Sequence, residues 1–496
     1  MHAFAKAVVL AAGLALAASS AHAVDPFFPT FGNNGIDVRN YDLDLDVAMP
    51  SSRLTAKATL DIRALEDITT FRLDLTGLTV SEVLIDGVPA VFNQRNESKL
   101  TIRPRVAIPK GKSFKAVISY AGAPKPIQDP TVPDDPSYQL GWFTYDGATY
   151  ALSEPVGAST FYPSNDEPTD KATFNRIAIT VPAGYTAVAN GLLKSTTPLG
   201  AKTRFVWSMD EPMTTWLATV HINRFDVKVT ATTTGKPLRF YSTAATPAAD
   251  VASYAKSRSM IAYFETLVGP YPFDSYGSVV VDDPALYYAL ETQGMSTFPL
   301  GAADEGIVAH ELAHQWFGNS VSVAAWADLW LAEGFATYFE VLWPNRRSPA
   351  AFDAAMRRMY DYAVDAQLGP AVVDRPEDIF SDRTYVRGAL ALYALQLKVG
   401  TETFFRIART WQETYRGRNA NSRQFILTAV DVSGDRTVST LLSDWLFKAP
   451  VPPLPGGQPS AARRLGPAPK PDLVGLRCGR GSHRGAPAVC AGAAAN

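Results

Sequence analysis

Cysteine is nearly absent. The 496-residue chain holds two, Cys478 and Cys490, both among its last twenty residues. That excludes a disulfide framework or a thiolate-ligated metal for the body of the chain, although the two can pair with each other in an oxidising compartment. Histidine is scarce too: six in all, of which only His221, His310 and His314 lie between residues 24 and 450. An excess of one charge is also missing, since 46 Lys and Arg face 48 Asp and Glu for a formal net charge of −2. With no basic cluster interleaved with aromatics, nucleic acid is excluded as the partner. The longest apolar run, Ala7 to Ala18, falls short of the ~20 residues a bilayer span needs. Lys6 precedes it and Ala21-His22-Ala23 follows as a small-x-small cleavage site, so residues 1–23 read as a signal peptide. The expectation is export, to a periplasm or beyond the cell, with no stable membrane insertion after cleavage. No cysteine follows the cleavage point to carry a lipid anchor.

The length predicts two or three domains. From residue 38 to about 225 the period is two: Tyr41, Leu43, Leu45 and Val47 alternate with Asp42, Asp44 and Asp46, and Leu54, Ala56, Ala58, Leu60 and Ile62 repeat the pattern. Asp86-Gly87 after Val83-Leu84-Ile85 marks a hairpin, and Phe174 to Val181 is a strand ending at Pro182. An N-terminal antiparallel β domain over 24–228 follows. From 229 strand and helix signals mix, with a helical face at Val251, Tyr254, Ile261, Phe264 and Leu267, a strand at 278–282 and a second at Leu286 to Thr292. Helices dominate 303–450. Residues 451–496, rich in Pro, Gly, Ala and Arg, read as a disordered tail. Asn96-Glu97-Ser98 is a glycosylation sequon in a eukaryotic host. Nothing in the sequence sets an oligomeric state.

What the chain does have is His310-Glu311-Leu312-Ala313-His314, with Glu333 after eighteen intervening residues. Positions i and i+4 share a helix face, so two imidazoles point at one metal while Glu311 stands beside it as a base. A helix opening at 303–305 and stopping at Gly318-Asn319 carries the pair, and a second over Trp330 to Phe339 returns Glu333 to it. Two His, one carboxylate and an open fourth position make a catalytic site for one zinc ion per chain. The metzincin pattern needs Gly at 317 and His at 320, where this chain has Phe317 and Ser320. Asp328 has two readings: acceptor for a liganding histidine's ring N–H, or a carboxylate at a helix N-terminus. Trp316, Trp326 and Trp330 read as core.

The segments His310 to Asn319 and Trp326 to Ala336 resemble the gluzincin aminopeptidases of peptidase family M1. Phe161-Tyr162-Pro163-Ser164-Asn165-Asp166-Glu167-Pro168 with Lys171-Ala172-Thr173-Phe174 is similar to the family's β-domain signature, and Thr384 to Leu390 to the segment of its catalytic tyrosine. The resemblance covers about residues 36–450. It implies a multidomain β plus α+β fold: a saddle-like β domain, then a thermolysin-like, mainly helical catalytic domain over 229–450. It also implies the activity, removal of N-terminal residues from peptide substrates, with Tyr385 as the donor that stabilises the transition-state oxyanion. Glu291 and Glu154 are implied as anchors for the substrate's free amine. The family's Gly-Ala-Met-Glu-Asn motif reads Tyr288-Ala289-Leu290-Glu291-Thr292 here, so the glutamate stays and its flanks change. The backbones of Ala289 and Leu290 are expected to pair with an extended substrate. Many members carry a further helical domain, whereas this chain reaches its Pro-rich stretch by 450. A more open cleft makes a secreted zinc endopeptidase the enzyme alternative. A catalytically inactive peptide-binding protein is the alternative outside enzymes, and one branch of the family has epoxide hydrolase activity.

Overall fold

The computed structural model describes residues 24–96, 98–302 and 304–456. Residues 1–23, which the sequence suggests are a signal peptide, Glu97 of the sequon and both cysteines lie outside the described residues. Alternation in the N-terminal half becomes an eight-stranded sheet with Ile36–Ala48 at its centre. That strand pairs antiparallel with Arg53–Ala64 and parallel with Ala172–Pro182, the one parallel neighbour in an otherwise antiparallel sheet. Tyr41, Leu43, Leu45 and Val47 are fully buried. Asp42, Asp44 and Asp46 emerge on the other face and meet Arg176 at 2.6 and 3.0 Å, Arg204 at 2.6 Å and Lys202 at 2.6 Å. Such half-exposed pairs contribute roughly 0–1 kcal/mol each, so the buried face holds the sheet and the charges fix its outer side. Asp86 and Gly87 take φ of 48° and 79°, as a two-residue hairpin turn requires.

A five-stranded sheet carries Ala148–Leu152, and the chain leaving it, through 170, is almost wholly buried. The C-terminal half starts with a four-stranded sheet of Asp226–Ala231, Pro237–Ser242, Tyr276–Val281 and Ser296–Pro299. Nine described α-helices accompany or follow it: α1 (Ala248–Ala255), α2 (Ser257–Val268), α3 (Glu305–Ala313), α4 (Trp330–Asn345), α5 (Pro349–Asp365), α6 (Gly388–Val399), α7 (Thr401–Tyr415), α8 (Ser422–Ser433) and α9 (Thr437–Phe447). Trp316, Trp326 and Trp330 are core, as their spacing predicts. No helix among the described residues is long and apolar enough to cross a membrane.

Two expectations are corrected. Leu286 to Thr292 is not a strand: only Leu290 pairs, through one antiparallel bridge to Thr297. Asp283 starts a turn by accepting from the Ala285 N–H, and the Glu291 carbonyl is taken by side chains instead of a ladder. The Pro-rich stretch also does not leave the body at 451, because Leu454 is buried in the core.

Candidate active site

Asp304 caps α3 by accepting from the N–H groups of Gly306 (2.6 Å) and Ile307 (3.0 Å), and Glu305 adds an acidic residue to the first turn. Helix α3 ends at His314 rather than running on to Asn319. Beyond it the chain turns back at Gly318, whose φ is 123° and whose missing Cβ would stand 3.2 Å from His314 Nδ1. Only glycine lets the backbone pass so close to that ring.

Glu333, in the first turn of α4, brings Oε2 to 3.2 Å from His310 Nε2 and 3.4 Å from His314 Nε2. The Nδ1 atoms face away, His310 to Glu340 Oε2 at 3.0 Å and His314 to the Phe317 carbonyl at 3.1 Å. Both acceptors call for Nδ1–H, which leaves the Nε2 lone pairs directed at the point shared with Glu333. The ligand atoms of His310, His314 and Glu333 all lie within 4.8 Å of one another. This donor set, two imidazoles and a carboxylate, fits zinc with room for a further ligand.

Glu311, Glu291 and Glu154 complete a ring of acid around the same point. Glu291, Glu311 and His314 form one group within 4.8 Å, and Glu154, Glu291 and Glu333 another. All are buried. Glu311 Oε2 and Glu291 Oε1 lack a hydrogen-bond partner, which in a protein interior marks a place for a ligand or ion. Burial pushes the Glu311 carboxyl up to about 8 and raises Glu291 as well. Burial also tends to raise Glu333, but the two histidines outweigh it and bring the group down to about 2. For His310 burial would lower the pKa, and the Glu333 and Glu340 carboxylates reverse that. For Glu311 and Glu291 to be ionised in so dry a site, a cation has to stand beside them.

Tyr385 lies over this ring, stacked on His310 with centroids 6.1 Å apart and hydrogen-bonded to Glu333. Burial first, then Glu333, Glu154 and Glu291, hold its phenol far above the usual range, so it stays a donor. The structure therefore brings together His310, Glu311, His314, Glu333, Tyr385, Glu291 and Glu154. It does not do so for Asp328, which accepts from Ser422 Oγ and caps no histidine. Nor are Leu290's backbone groups open to a substrate: its N–H and carbonyl both bond Thr297, at 2.9 and 2.8 Å. In an antiparallel bridge the flanking residues point the other way, so Ala289 and Glu291 turn their backbones from that strand.

Three site residues escaped the sequence reading. Glu340 does for His310 what Asp328 was considered for, and it stands seven positions after Glu333, two turns along the same face of α4. Gln315 and Asn319, just past the motif, donate to the Glu291 carbonyl at 3.0 and 2.6 Å and so fix the acidic loop to the metal helix. Their signal was their position beside the motif.

Residues 38–217 match the Peptidase M1 N-terminal domain and residues 252–445 the Peptidase family M1 domain. Among solved structures, the chain is similar to an M1 zinc metallopeptidase from Deinococcus radiodurans, 32% identical with a TM-score of 0.80 over 88% of this chain and 99% of that one. A variant of that enzyme bound to a Tyr-Ser-Ala substrate aligns with a TM-score of 0.79 at 32% identity, over 87% and 98% of the two chains. Human glutamyl aminopeptidase is 28% identical over 330 residues, which are 61% of this chain and 34% of that protein. The chain thus spans about a third of the length of such curated relatives.

Proposed function

The chain belongs to peptidase family M1, whose metal is zinc, and from that premise we propose that it is an exported aminopeptidase releasing N-terminal residues from peptides. The observation that carries the reading is the buried group of Glu154, Glu291 and Glu333, whose carboxylate oxygens lie within 4.8 Å of one another beside the two histidines. A free ammonium held by Glu154 and Glu291 leaves the first peptide bond next to the metal position, and no later bond. An acetylated terminus brings no positive charge to meet these carboxylates.

His310, His314 and Glu333 would hold zinc, which when bound supplies Lewis acidity that polarises the scissile carbonyl and makes water nucleophilic near neutral pH. Glu311 takes the proton of the attacking water on its carboxylate and passes it to the departing amine. The Tyr385 hydroxyl donates to the carbonyl oxygen as charge builds there. Ala289 offers its backbone to the substrate, a role the bridge to Thr297 denies Leu290. Export rests on residues 1–23.

Aminoacyl-arylamides and N-acetylated peptides, each with and without a chelator, separate the readings. Chelator-sensitive release from free-amine substrates alone is the expected result. Internal cleavage of the acetylated peptides would replace it with the endopeptidase, and inertness toward both would leave a peptide-binding protein. Glu291→Ala is expected to raise KM for free-amine substrates at least tenfold with zinc content unchanged.

A further inference from the structure

The metal ligands and their acceptors are complete by Glu340, yet the catalytic half continues for another hundred residues to α9. Tyr385 sits in a five-residue π-turn, Arg383–Arg387, where the Arg387 N–H reaches back to the Asp382 carbonyl. Such turns cost hydrogen-bond geometry and persist where neighbours hold them. One neighbour is α4. Gly388, directly after the turn, packs on Gly334, directly after Glu333, so closely that a Cβ on Gly334 would stand 2.7 Å from the Gly388 carbonyl carbon.

The other neighbour is the end of α9. Arg387 is fully buried, and its guanidinium donates to the carbonyls of Trp445 (2.8 Å), Asp444 (3.2 Å) and Lys448, and to Leu368 (2.7 Å). The first three are C-terminal carbonyls of α9, the negative end of the helix dipole, where a cation is favoured, and Leu368 lies just beyond α5. Arg383, at the start of the turn, grips the Pro370 carbonyl (2.9 Å) and Asp378 (2.8 Å). The turn is thereby clamped between α4, which carries Glu333, and α9.

We propose that Arg387 is a positioning residue for catalysis: by capping α9 it fixes the π-turn and aims the Tyr385 hydroxyl at the developing oxyanion. The proposal rests on the transition-state role given to Tyr385 above. Lysine cannot replace it fully, because one ammonium lacks the planar fork that spans these carbonyls.

A double-mutant cycle in the zinc-loaded full chain tests it. Arg387→Met is expected to lower kcat at least tenfold, leaving KM for an aminoacyl-arylamide and bound zinc within twofold of the parent. Arg387→Lys should restore part of the loss. A phosphinic peptide that mimics the tetrahedral intermediate should weaken in step with kcat, while a free amino acid product binds as before. In a Tyr385→Phe background Arg387→Met should cost less than threefold more. Independent, multiplying losses would overturn the proposal while leaving the Tyr385 role standing. Full activity of Tyr385→Phe would overturn that role first, and the proposal with it. Should Arg387→Met fail to fold, Arg387→Lys carries the same cycle.

Discussion

His310 presents Nε2 to the metal position only while its Nδ1–H has an acceptor, and Glu340 supplies it at 3.0 Å from a buried carboxylate. A charged acceptor does more than orient the ring, since it raises the basicity of the nitrogen on the far side. His314 relies on the neutral Phe317 carbonyl, so the two ligands are unequal. Glu340→Gln keeps the size and one acceptor oxygen but removes the charge. It is expected to weaken zinc binding by roughly tenfold, within the 10–100-fold range of such changes. Competition against a chromogenic chelator measures this, and unchanged affinity would reduce Glu340 to a packing residue. Glu305 accepts from Trp343 Nε1 at 2.8 Å on the same pair of helices and serves as the control, with zinc affinity expected to hold in Glu305→Gln.

Among the elements, the contact between α4 and α6 matters most, because Glu333 precedes Gly334 and Tyr385 comes three residues before Gly388. Gly334→Ala puts a methyl group against backbone, which has no rotamer to yield. The helices must part, at a cost of about 1–3 kcal/mol in stability. We expect a lower denaturation midpoint and a kcat loss exceeding any loss of zinc, read by chemical denaturation and steady-state kinetics. A variant with parental kcat would show that this spacing is not critical. The motif on α3 and the ligand on α4 were legible because a helix has one period and two histidines four apart have one shared face. Glu340 follows the same rule, seven positions after Glu333 on α4, whereas Asp328, nearer in sequence, is turned toward Ser422. The loop at 286–292 was not legible as a loop: its apolar content suits a strand, and what prevents one is Gln315 and Asn319 reaching from a distant segment to the Glu291 carbonyl. The parallel pairing of Ile36–Ala48 with Ala172–Pro182 was hidden likewise, since alternation states which face is buried and not which strand lies alongside.

Across the whole molecule the site belongs to neither half alone. Glu154 comes from the β half, and Lys171 crosses the junction to donate to the carbonyls of Asn319 (2.7 Å) and Ser320 (3.1 Å), in the loop that fixes Glu291. The segment that carries Lys171 is built on buried acids. Burial pushes Asp166 and Asp170 up to about 8 and Glu167 to about 7. Asp170 accepts from the Val38 N–H at 3.0 Å and from Asn165, tying the segment to the central strand. A carboxyl whose folded pKa lies above its unfolded value near 3.8 keeps its proton in the folded chain when the unfolded chain has released it. Its contribution is therefore complete below about pH 4 and is lost as pH rises toward 8. Burial brings Lys171 down to about 7, and this has the opposite sign, favouring the folded state as pH climbs from 7 toward its unfolded value near 10.5. Between pH 5 and 7 the three acids act without Lys171, and only His221, which burial brings down to about 3, opposes them, by one proton below its unfolded value near 6.5. Stability of the zinc-loaded protein should fall across this window, by at most about 1.4 kcal/mol per pH unit for each proton involved. Asp170→Asn removes one titrating group while keeping an acceptor for Val38, so its decline should be shallower than the parent's. Thermal melts of both proteins at half-unit steps decide the matter, and parallel curves would mean that Asp170 is ionised in the folded chain.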